Sequence, residues 1–167
     1  ACGNEIASEK PMVRKYIIDS LCYWASEYHI DGFRFDLMGV LDIETLNEAR
    51  KALLKINPDI IMYGEGWTGG ESTLPESERG MKINAPRTPG IGMFSDDIRD
   101  AVKGHVFYMD ELGFVNGAAD RGEELKQAVT CAKWAKSPMQ SINYLSCHDN
   151  YTLWDRSVSY THLRAHE

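Results

Sequence analysis

Basic residues are in short supply: 18 Lys and Arg stand against 25 Asp and Glu, a formal charge of −7. No cluster of them offers the cationic footprint that phosphate backbones require, so a nucleic-acid partner is not expected and neutral ligands fit better. No run approaches the roughly 18 apolar residues of a membrane-spanning helix, so no membrane partner is expected either. The opening residues ACGNEIASEK lack the charged-then-apolar layout of a signal peptide. Cysteine is scarce and scattered: Cys2, Cys22, Cys131 and Cys147 form no C-x-x-C and no metal-ligand spacing, so free thiols are expected and the compartment stays open. Internal repeats and low-complexity tracts are missing too. What is present, 43% hydrophobic and 26% charged residues over 167 positions, is the make-up of one globular domain with a sizeable core.

Periodicity supplies the elements. Ser8 can cap a helix over about 9–28, in which Val13, Ile17, Leu21, Trp24 and Tyr28 line one apolar stripe. A strand with period two follows at 32–37. Asp42 opens a second amphipathic helix carrying Leu46, Ala49, Leu53 and Ile56, and Pro58 ends it. IIMYG (60–64) reads as a doubly buried parallel strand. Strand, helix and strand make a βαβ unit. Residues 66–92 are rich in Gly, Pro, Ser and charge, and a loop that long inside a domain usually has a job. A brief strand running into a helix is predicted over 93–104, a helix over 120–135 and an apolar strand over 141–147, whereas 105–119 has no clear pattern. Alternating strands and helices indicate an α/β protein with a parallel sheet, open or closed.

The chemistry gathers at strand ends. In GFRFD, Phe33 and Phe35 share one face and Arg34 and Asp36 the other. In isolation such a pair is a structural ion pair. Two further strands, however, also end in carboxylates: Glu65 follows IMYG, and His148 and Asp149 follow YLSC. In a parallel sheet these ends lie on one side, where α/β enzymes build their sites. Acids converging there repel one another, and one arginine is poor neutralisation for a purely structural role. Retaining glycoside hydrolysis uses two carboxyl groups about 5–5.5 Å apart, one attacking the anomeric carbon and one protonating the leaving oxygen. Asp36, beside Arg34, suits the attacker, and Glu65 suits the proton donor. Asp149 would steady an oxocarbenium-like transition state, with His148 orienting the ring. Trp67, Tyr151 and Trp154 follow these acids closely and can stack on sugar faces, although each aromatic alone is as readily core.

EYHIDGFRFDLMG, MYGEGW and NYLSCHDNYTLWD resemble ordered motifs of the α-amylase superfamily of glycoside hydrolases (family 13) over roughly residues 3–155, with wording nearest the type I pullulanases, which debranch α-glucans. The resemblance implies Asp36 as nucleophile, Glu65 as general acid/base, Asp149 as transition-state stabiliser, and Arg34 and His148 as substrate-site partners. It also implies a (β/α)8 TIM barrel, an α-glucan substrate cut at α-1,6 branch linkages, and no required cofactor. Calcium accompanies many members of the family, and no residue set for it is legible here. Isoamylase and α-amylase are the alternatives within the superfamily.

A complete barrel takes about 250 residues and eight strands. Only the equivalents of about strands 4 to 7 are found, so residues 1–156 are expected to be a piece of a catalytic domain, poorly soluble or inactive alone. The ending SVSYTHLRAHE shows neither helix nor strand pattern and resembles misjoined sequence, so 157–167 is expected to be a non-native or disordered tail. His162 and His166 stand four apart, as helix-borne metal ligands can, but no metal site is expected there. Two rivals come from other classes. An enolase-like barrel also sets three acids at strand ends, around magnesium. Arg34 beside a ligand, and a strand between Glu65 and Asp149, oppose it. A glucan-binding homologue without catalysis is the other, and the presence of all three acids opposes that.

Overall fold

The computed structural model describes residues 5–164, with side chains through Val158. Cys2 and His166 lie outside the described residues, as does the side chain of His162. Two compact units form. Among the described residues, one holds 5–94 together with Trp134–Gln140, the other Ser95–Lys133 and 141–164.

In the first unit, helix α1 (Pro11–Glu27) precedes strand β1 (Gly32–Phe35), helix α2 (Ile43–Leu53) and strand β2 (Ile61–Gly64), and strand β3 (Gly92–Ser95) completes a parallel set in the order β1-β2-β3. This is α/β architecture, as expected. The core joins Ala25 of α1, Leu46, Ala49 and Leu53 of α2, and Ile60, Met62 and Met93 of the sheet, with Phe33 and Phe35 packed against it. Asp42 caps α2 by accepting from the Thr45 N–H at 2.8 Å, as its residue type predicts.

Several expectations are corrected. Ser8 does not cap α1. Its buried hydroxyl donates to Asp42 Oδ2 at 2.6 Å and accepts from the Asp42 N–H at 2.9 Å, tying the start of α1 to the start of α2. The buried face of α1 runs through Ile18, Leu21 and Ala25, which leaves Trp24 and Tyr28 exposed in a ring cluster with Tyr23. β1 stops at Phe35, so Asp36 lies just past the strand. β2 is not buried on both faces: Met62 and Gly64 are covered, whereas Ile61 is exposed on the face that carries Arg34. The segment 66–92 is more ordered than its composition suggests. It makes short 3-10 turns at Glu76–Glu78 and Lys82–Arg87 and inserts Ala85 and Ile91 into the core. Gln140 locks it by donating to Ala85 O at 2.7 Å and Thr88 O at 3.2 Å.

The second unit contains helix α3 (Asp96–Lys103), helix α4 (Gly122–Thr130), strand β4 (Ser141–Asn143) and helix α5 (Leu153–Arg164). Ile98, Val102 and Ala128 form its core, with Leu125, Leu145 and Leu153 packed on it. Helix α4 stops five residues before the predicted end. Strand β4 has three residues rather than seven, because Tyr144 leaves the ladder to accept from Arg99 at 2.9 Å and Leu145 turns into the core. Helix α5 runs on through residues 157–164, part of the stretch 157–167 expected to be a non-native or disordered tail. Among the described residues no helix is long and apolar enough to cross a membrane, and Cys22, Cys131 and Cys147 are free thiols.

Candidate active site

The register of β1 with β2 pairs Gly32 with Ile61 and runs on to Phe35 with Gly64. One further step brings Asp36 alongside Glu65, and the Glu65 N–H donates to Phe35 O at 3.1 Å to hold that alignment. Alternation puts Arg34 on the same face. Its guanidinium forks between the two acids, donating from one nitrogen to Asp36 Oδ1 at 2.5 Å and from another to Glu65 Oε1 at 2.6 Å. One carboxylate oxygen of Asp36 and one of Glu65 lie within 4.8 Å of each other. The two environments differ. Glu65 is only 7% exposed, while the Asp36 side chain is 66% exposed. An open carboxylate beside a sheltered one, held by a shared cation, can attack a bound ligand and exchange a proton with it.

Backbone geometry fixes the sheltered acid. Leu37 has a left-handed conformation, φ 43°, uncommon for a branched side chain. That turn points its N–H at Glu65 Oε2, 2.8 Å away. Gly39 then donates to Glu65 O at 3.2 Å and to Trp67 O at 3.0 Å. A Cβ there would stand 2.4 Å from Trp67 O, so only glycine admits this approach.

An aromatic floor adjoins the pair. The Arg34 guanidinium lies 5.8 Å from the Phe94 ring centre, and the same ring meets Tyr63 at 5.6 Å and Trp67 at 6.5 Å. Trp67 is thus half-buried against the ring that underlies Arg34. Tyr63 and Phe94 escaped the sequence reading. The signal was there for Tyr63, which stands two residues before Glu65 and opposite Arg34 in the register, hence on their face. No comparable signal marked Leu37.

In the second unit, His148 and Asp149 lie in a loop beyond β4, not directly at its end. His148 Nδ1 sits 3.2 Å from Cys147 Sγ, and its Nε2 is 3.4 Å from Asp149 Oδ2. Asp149 has φ 69°, again left-handed, and its side chain is 86% exposed. Tyr151 and Trp154 are exposed and available to a ligand. Burial pushes the pKa of the Tyr144 hydroxyl up to about 12 despite the adjacent Arg99 cation. Leu37 and Asp149, non-glycine residues held in a strained backbone region next to an acid or at one, are the pattern that functional sites favour.

No protein-family model matches the chain. It is 43% identical to the pullulanase of Bacillus subtilis strain 168 over 161 residues, which covers 92% of this chain and 22% of that protein. It is 33% identical to the pullulanase of Klebsiella aerogenes over an alignment of 206 positions, covering 95% of this chain and 18% of that one. The crystal structure of the Anoxybacillus sp. LM18-11 pullulanase complexed with maltotetraose is similar with a TM-score of 0.91 and 46% identity, over 99% of this chain and 24% of that one. The Paenibacillus barengoltzii pullulanase complexed with maltohexaose and alpha-cyclodextrin gives 0.87 and 49%, over 95% of this chain and 26% of that one. The chain therefore spans about a quarter or less of the length of these relatives. In sequence and in fold, it is a pullulanase homologue.

Proposed function

We propose that the protein carrying this chain is a retaining α-glucan hydrolase that cuts α-1,6 branch linkages in pullulan, starch or glycogen, and that the chain supplies about strands 4 to 7 of its (β/α)8 barrel. The observation that supports this best is the Arg34 fork, with Asp36 and Glu65 oxygens within 4.8 Å of each other. Double displacement needs two carboxyl groups this close, without room for a water between them. Asp36, open to a ligand, attacks the anomeric carbon. Glu65 gives its proton to the departing oxygen and later takes one from the attacking water. Arg34 holds both acids in place and contributes positive charge beside the nucleophile. Asp149 stabilises the positive charge that develops on the sugar ring, and His148 hydrogen-bonds the sugar. Trp67, Tyr151 and Trp154 provide stacking surfaces. The pullulanase relatives crystallised with maltotetraose and maltohexaose favour an α-glucan as the ligand.

The test is to express the full-length protein and compare substrates. Pullulan degraded to short oligosaccharides with amylose untouched is expected. Amylose cleaved with pullulan intact would refute the debranching assignment, and neither cleaved would refute hydrolysis.

A further inference from the structure

Lys103, at the last position of α3, is the most deeply buried cation of the second unit, 1% exposed. Burial and the nearby Arg99 charge both pull its pKa down, so keeping the ammonium there carries a cost. Among the described residues no carboxylate lies within ion-pairing distance of it. Its Nζ donates instead to Asn150 Oδ1 at 2.7 Å and to the Tyr151 carbonyl at 2.6 Å. These are the two residues immediately after Asp149.

The surroundings explain why that grip is firm. Helix α3 is fixed through Ile98 and Val102 in the core and through Arg99, which donates to the Tyr144 hydroxyl at 2.9 Å. The Lys103 carbonyl accepts from Asn116 Nδ2 at 3.1 Å, and Gly104 ends the helix with φ 86°, which glycine alone adopts without strain. Asp149, by contrast, has an exposed side chain that meets the neighbouring His148 at 3.4 Å, and a left-handed backbone that carries a strain cost outside glycine and so needs holding. The direction of its carboxylate follows its backbone, which Asn150 brackets by donating from Nδ2 to His148 O at 3.3 Å and which Lys103 ties to α3 through Asn150 and Tyr151.

We propose that Lys103 is a positioning residue: by gripping Asn150 and Tyr151 it locks the left-handed turn that aims the Asp149 carboxylate. This rests on the reading of Asp149 as the transition-state stabiliser. A misplacement of about 1 Å in such a group costs up to about 100-fold in rate, and because the lost interaction belongs to the transition state, kcat falls while KM holds.

In the full-length enzyme assayed on pullulan, Lys103→Met is expected to lower kcat by about 10- to 100-fold with KM within about twofold. Lys103→Arg, which keeps the charge, should restore part of the loss. In an Asp149→Asn background Lys103→Met should cost less than about threefold more, because the group it aims is already disabled. Full additivity there would overturn the proposal in favour of a general structural role. Should Lys103→Met fail to fold, Asn150→Ala, which removes one acceptor from a more accessible position, should lower kcat by about three- to tenfold at constant KM. Wild-type kcat for Asn150→Ala would then overturn it. The underlying reading fails separately: an Asp149→Asn enzyme with wild-type kcat would remove the role of Asp149 whatever Lys103 variants do.

Discussion

Replacing Asp42 with alanine should loosen the α1–α2 layer on which the Asp36 and Glu65 strands rest. The carboxylate accepts from Ser8 Oγ at 2.6 Å, from the Thr45 N–H at 2.8 Å and from Arg14 at 3.1 Å. Loss of the helix cap costs about 1 kcal/mol. The Ser8 hydroxyl hydrogen, fully buried, would lose its acceptor, at about 1–3 kcal/mol. Arg14 keeps Glu44 at 2.8 Å and Thr45 Oγ1 at 2.9 Å, so that pair adds little. The sum, about 3 kcal/mol, corresponds to roughly 100-fold faster local exchange. The assay is hydrogen exchange by mass spectrometry on the full-length protein, following peptides that cover α2. The effect also has a pH signature. Burial alone would raise the Asp42 pKa, but hydrogen bonds from Ser8 and Thr45 and the charge of Arg14 outweigh it and hold it below the usual carboxylate range. A depressed folded value means that the stabilisation is complete above the unfolded pKa, about 4, and is lost as pH falls through the folded one. Wild-type protection in α2, corrected for intrinsic rate, should therefore fade below about pH 4, whereas the alanine variant should show no such dependence. Protection within threefold of wild type at neutral pH would refute the reasoning.

Three other perturbations probe the site. Arg34→Met removes the cation shared by Asp36 and Glu65 and should lower kcat on pullulan by about 100- to 1,000-fold, measured by reducing-sugar release. Gly39→Ala pushes a methyl against Trp67 O and should destabilise the protein by about 1–3 kcal/mol, seen as a lower melting temperature and faster exchange in the 36–39 turn. Trp154→Ala, at a residue 76% exposed, should leave the melting temperature within about 1 °C but raise KM for pullulan about threefold or more.

Much of this was legible beforehand, for identifiable reasons. Period-two alternation in GFRFD put Phe33 and Phe35 in the core and Arg34 with Asp36 on the other face, because strand geometry leaves a side chain only two directions. The cap at Asp42 and the stripe Leu46, Ala49, Leu53 are equally local signals. The failures have long-range causes. Ser8 has the residue type of a helix cap, but its hydroxyl meets a partner 34 positions away. Tyr144 and Leu145 look like strand residues until Arg99 and the second core claim them. Gln140 pins the 66–92 segment from far along the chain, which composition cannot reveal. The left-handed turn at Leu37 that delivers an N–H to Glu65 is invisible too, since leucine carries no signal for it.

The central claim is that Asp36 forms a bond to the sugar while Glu65 manages protons. A Glu65→Gln variant of the full-length protein, incubated with a maltosyl fluoride whose leaving group needs no acid, should accumulate a covalent glycosyl-enzyme. Intact-mass spectrometry followed by peptide mapping reads it directly. An adduct of one glycosyl unit per protein on the peptide containing Asp36, absent from Asp36→Ala, is the expected result. An adduct on any other carboxylate, or turnover by Asp36→Ala at the wild-type rate, would contradict the account.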